Sequence, residues 1–78
     1  MAKGVHDARY RRLIDRLIAA RRAADLTQTD LAQRLGKPQQ FVSRYEVGDR
    51  RLDAIEYIDV AKAVGLDPLC ALAEVLAD

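Results

Sequence analysis

Apolar positions recur at three- and four-residue intervals along this chain, the period of helices that pack by one face. From about residue 8 to residue 24, Tyr10, Leu13, Ile14, Leu17 and Ala20 form one such stripe. No helix breaker interrupts the segment, and Asp25 ends it; aspartate tolerates left-handed backbone better than most residues. Thr27 is a good N-cap for a second helix, with Asp30 completing a capping-box arrangement three residues on. Leu31, Ala32 and Leu35 share one face of it, and Gly36 stands where a turn needs positive φ. Pro38 opens a third helix to about Glu46, with Val42 and Tyr45 inward. Gly48 and Asp49 make the next turn. Asp53, with Glu56 at N3, caps a fourth helix whose predicted stripe is Ile55, Ile58, Ala61 and Val64. Gly65 is its C′ glycine, and Leu66 the apolar residue after it. Asp67 and Pro68 start a fifth helix to about Ala77. That helix is apolar nearly all round, more than one buried stripe requires. Leu69, Leu72, Ala73 and Leu76 are expected to serve the core and a two-fold contact together.

Residues 28–48, QTDLAQRLGKPQQFVSRYEVG, organise the rest. A small residue at Ala32, Gly36 four later and Val42 six after that follow the packing logic of a helix-turn-helix. Gln39, Gln40, Ser43 and Arg44 point outward from the third helix, and Gln and Arg side chains pair bidentately with base edges in the major groove. Phe41 lies beside that face. It packs on a sugar or a thymine methyl, or it tucks against a neighbouring helix; the sequence leaves both open. Gln28 falls in the first turn of the second helix, where its amide and the free backbone N–H groups can meet a phosphate. The plainer alternative is an ordinary exposed residue. Arg50 and Arg51 follow in a loop at the same edge, and their forks match phosphate oxygens. Arg9, Arg12 and Arg16 lie off the first stripe, as phosphate contacts or as a solvated face.

The segments LTQTDLAQRLG at 26–36 and PQQFVSRYEVG at 38–48 resemble the lambda-repressor-like (Cro-like, XRE) family, and the match extends from about residue 9 to 69. The resemblance implies an all-α, compact five-helix domain with helices two and three as the helix-turn-helix, and double-stranded DNA as the partner. It also implies that Arg21 pairs with Glu46, tying the first helix to the reading helix. The alternative is two unrelated surface charges. At Asp25 the family often has glycine.

Composition narrows the classes. Seventy-eight residues allow one small domain, here expected over 1–78 with 1–6 as a mobile tail and 28–46 as the helix-turn-helix. Half the residues are hydrophobic, so a core can form, with modest stability. The net charge of +1 is uninformative, but its distribution is not. Residues 1–51 hold twelve Lys and Arg against six Asp and Glu; residues 52–78 hold one against six. A basic half carrying the helix-turn-helix suits a DNA-facing side. No long apolar run or signal core implies a membrane or secretion, and one cysteine makes no internal disulfide, so a cytoplasmic setting is expected. Cys70 reads as a small packed hydrophobe rather than a redox switch. No Cys/His cluster suggests zinc, His6 has no partner in sequence, and no acid–base constellation suggests an enzyme or a cofactor. The function expected is sequence-specific transcriptional regulation on a near-palindromic operator, as a homodimer. Two competitors stand beside it: an antitoxin-like DNA-binding partner of a toxin, and a protein-interaction module that keeps the fold without operator reading.

Overall fold

The computed structural model describes residues 7–77 and places five α-helices among them, with no strand in that range. They are α1 (Ala8–Ala23), α2 (Gln28–Leu35), α3 (Gln39–Val47), α4 (Ala54–Ala63) and α5 (Pro68–Leu76). The tail expected at 1–6, with His6, lies outside the described residues.

Short polar side chains start four of the helices. Asp7 accepts from the Arg9 N–H at the head of α1, and Asp67 accepts from the Leu69 N–H at the head of α5, with Pro68 in the first turn. Thr27 with Asp30, and Asp53 with Glu56, form reciprocal capping boxes at α2 and α4, each satisfying two otherwise orphaned N–H groups. Pro38 occupies the N-cap of α3 and brings no side-chain bond. Asp25 takes φ +58 after α1, the left-handed conformation that its short side chain tolerates. Gly36 takes φ +66 at the α2–α3 turn, and the Lys37 N–H returns to the Ala32 carbonyl at 2.9 Å, closing the end of α2.

The core is drawn mainly from α1 to α4. Ile14 and Leu17 come from α1, Leu31 and Ala32 from α2, Val42 and Tyr45 from α3, and Val60 and Ala61 from α4, all essentially inaccessible. Burying each large aliphatic side chain is worth about 1.5–3 kcal/mol. Tyr10, Leu13 and Ala20 of the expected α1 stripe pack at its margin.

Two stripes differ from expectation. On α4 the buried residues are Tyr57, Val60 and Ala61, followed by Val64 at the C-cap; Ile55 and Ile58 are exposed. Tyr57 faces inward with Val60, and its hydroxyl donates to the Pro68 carbonyl at 2.7 Å, joining α4 to the start of α5. On α5 the fully buried residue is Ala71, while Leu69, Leu72, Ala73 and Leu76 are exposed. A small residue lets α5 lie close on α1 and α4, and the Arg16–Glu74 ion pair at 2.9 Å holds it on α1. Cys70 is exposed rather than packed, and the Asp67 carboxylate pushes its thiol up, away from the reactive thiolate.

Candidate nucleic-acid interface

The α2–turn–α3 unit is held together from inside. Ala32 and Val42 meet in the core, so the two helices cross closely, and Tyr45 anchors the middle of α3. The opposite side of α3 is left to solvent: Gln39, Gln40 and Arg44 are exposed and Ser43 is half-buried. The structure thus brings these four expected residues onto one side of one helix.

Phe41 does not join them. It is 8% exposed and packs into the core, edge-to-face on Tyr45 with ring centroids 5.8 Å apart. Lys37 Nζ and the Arg50 guanidinium lie 5.2 and 4.9 Å from its ring centre. Of its two open readings, the geometry matches the one in which it tucks against its neighbours.

Glu46 lies on the inner side of α3, where its side chain is 6% exposed. Arg21 Nε and Nη2 donate to its two oxygens at 2.8 and 3.1 Å, and Arg21 Nη1 donates to the Leu26 carbonyl at 2.8 Å. The bidentate bond to Glu46 pushes the guanidinium pKa up and keeps its charge in place. The Arg21–Glu46 pair therefore fastens α1 to α3, as the family resemblance implied. Arg11 adds a second fastening that no helical spacing singles out: its Nη2 donates to the Glu46 carbonyl at 2.8 Å, while the same guanidinium pairs with Asp15 one turn away.

Gln28 is half-buried rather than free in the first turn of α2. Its Nε2 donates to Glu46 Oε1 at 2.9 Å, and its Oε1 accepts from Gln39 Nε2 at 2.8 Å. Sequence spacing alone carries no signal for this link, because it joins two helices across the turn.

The two loop arginines separate. Arg50 places its fork on Glu56, with distances of 2.9 and 2.7 Å, so its hydrogen-bonding edge is already occupied. That bond first, and the Asp53 N–H second, hold the Glu56 carboxyl down to about 2. Arg51 is exposed, with its guanidinium 5.1 Å from the centre of the Tyr10 ring, and the Tyr10 hydroxyl accepts from the Leu52 N–H at 2.9 Å. Arg9 and Arg16 pair with Asp7 and Glu74. Among the described residues no group of three His, Cys, Asp or Glu side chains is placed to hold a metal ion, and no helix is long and apolar enough to cross a membrane.

A helix-turn-helix family model, HTH_3, matches residues 17–69. Among solved structures the chain is similar to an XRE-family like protein from Pseudomonas syringae pv. tomato str. DC3000. The two are 49% identical, with a TM-score of 0.88, over 97% of this chain and 93% of that one. No match was found among curated proteins.

Proposed function

The chain belongs to the XRE-family helix-turn-helix proteins, a family of DNA-binding regulators, and on that premise we propose that it reads a specific operator with α3. One observation carries the reading: Gln39, Gln40 and Arg44 are exposed on one side of a helix whose other side is locked by Val42, Tyr45 and Glu46. A rigid helix with long, bidentate polar side chains on its open face fits the major groove. Arg44 suits the O6 and N7 of guanine, and Gln39 suits adenine. Ser43, half-buried beside them, is in reach of a phosphate or a base edge. Arg51 is the loop residue placed to meet phosphate. Arg50 instead braces the loop through Glu56.

The operator is near-palindromic because the protein acts as a homodimer. Leu69, Leu72 and Leu76 supply the contact; they stand 75%, 37% and 84% exposed on one helix, an apolar stripe that suits a two-fold neighbour. The two copies of α3 would then enter successive major grooves about 34–36 Å apart.

Selection of bound duplexes from a random-sequence pool tests this directly. The expected product is a symmetric site with half-sites one helical turn apart. Enrichment of no sequence would transfer the fold to protein interaction, and an asymmetric single half-site would remove the dimer.

A further inference from the structure

Four side chains run in a hydrogen-bonded line from the interior to the open face of α3. Arg21 donates to Glu46, Gln28 Nε2 donates to Glu46 Oε1 at 2.9 Å, and Gln39 Nε2 donates to Gln28 Oε1 at 2.8 Å. The line has a direction. A carboxylate held by a guanidinium offers acceptors only, so the end of Gln28 that meets it is the NH2. The other end of Gln28 is then its carbonyl oxygen, which requires Gln39 to present its own NH2. One of the two N–H groups of Gln39 is consumed in this way. The side chain keeps one N–H and Oε1 for whatever enters from outside.

From this direction we infer that Glu46, buried away from the open face, is a positioning residue for base choice: acting through Gln28, it fixes the amide of Gln39 as one donor beside one acceptor. The inference rests on the reading of α3 as the base-reading helix. In the major groove adenine presents an acceptor, N7, beside a donor, the N6 amino group, and the fixed amide matches that edge. Guanine presents two acceptors, N7 and O6. A free glutamine amide can offer both N–H groups to guanine. The tethered one cannot, and its oxygen is set against O6. The Arg21–Glu46 pair thus does more than fasten two helices; it biases one base pair toward adenine.

The test compares affinities, by fluorescence anisotropy, for the selected site and for the same site with guanine replacing adenine at one base pair. That pair is the one whose preference Gln39→Ala abolishes. Gln28→Met keeps the length of the side chain, leaves the Arg21–Glu46 pair untouched and cuts the line. The intact protein is expected to favour adenine by about tenfold or more per half-site, and Gln28→Met by about threefold or less. Preference at the base pair read by Arg44 stays unchanged. Exchanging the groups, Gln28→Glu with Glu46→Gln, again faces Gln39 with an acceptor and restores the adenine preference, even where the added charge lowers affinity for all DNA. Thermal melting verifies that each variant is folded, and Gln28→Met decides alone if the exchanged pair is not. A folded Gln28→Met that loses affinity uniformly but keeps the adenine-to-guanine ratio overturns the inference and leaves the operator reading standing. So does a Gln39→Ala variant that relaxes no base pair. An intact protein with no preference at any base pair removes the operator reading as well.

Discussion

Glu46 and Arg21 are the residues on which the placement of α3 depends most. Their side chains are 6% and 10% exposed, so removing one leaves the other charged and buried. Glu46→Ala is expected to cost about 3–5 kcal/mol in urea unfolding; a loss below about 1 kcal/mol would mean that the pair behaves as a surface contact. Asp25 gives the opposite case. It holds φ +58 with a side chain, where glycine meets no Cβ penalty. Asp25→Gly is therefore expected to raise stability by a few tenths to about 1 kcal/mol, read from the same titration, and a loss would show that the Asp25 side chain contributes more than its backbone costs. Single residues were legible where a local rule governs them. Thr27, Asp53 and Asp67 cap as their spacing requires, because a cap is decided within three or four residues. Phe41 was not. Successive residues on a helix are about 100° apart, so Phe41, Val42 and Tyr45 together span a wide inner face, and the rim position between core and groove is decided by neighbours from other segments.

At the scale of the element, helix positions followed from capping and turn chemistry, and which face each helix buries did not always follow. In α5 nearly every position is apolar, so periodicity cannot choose a face; packing on α1 and α4 selects Ala71. In α4 two apolar sets compete, and packing in the core buries Tyr57 and Val60 while Ile55 and Ile58 stay exposed; the Tyr57 hydroxyl bond then joins this face to the start of α5. The Arg50–Glu56 brace joins the loop after α3 to the first turn of α4, and no helical spacing announces it. It has a pH signature. The Glu56 carboxyl lies at about 2 in the fold against an ordinary 4.5, so its contribution is present above about 4.5 and is lost as the pH falls toward 2. Melting temperatures of the intact protein and of Glu56→Gln should therefore differ most above about pH 5 and converge by about pH 2. A constant difference across that window would show that the ionised brace adds nothing.

At the scale of the whole molecule, two exposed sets stand on different helices: the polar residues of α3 and the leucines of α5. Charge already separated the halves in the sequence, with the basic excess before residue 52 and the acidic excess after it. The resemblance covered the architecture well, because caps, turns and the Ala32–Gly36–Val42 spacing are set by short-range sterics. The hydrogen-bonded line through Gln28 was hidden, because it depends on how helices meet. In sedimentation at high micromolar concentration the protein is expected to dimerise, and Leu76→Glu to weaken that dimer; a strict monomer both free and on its site would contradict the two-fold arrangement. The central claim, that α3 reads bases, is tested most directly by anisotropy of Arg44→Ala and Arg51→Ala on the selected site and on scrambled DNA at several salt concentrations. Arg44→Ala is expected to lose about 1–3 kcal/mol per half-site on the selected sequence and little on the scrambled one. Arg51→Ala is expected to weaken both alike and to lower the salt slope by about one phosphate contact. Equal losses on both DNAs for Arg44→Ala would contradict base reading by α3.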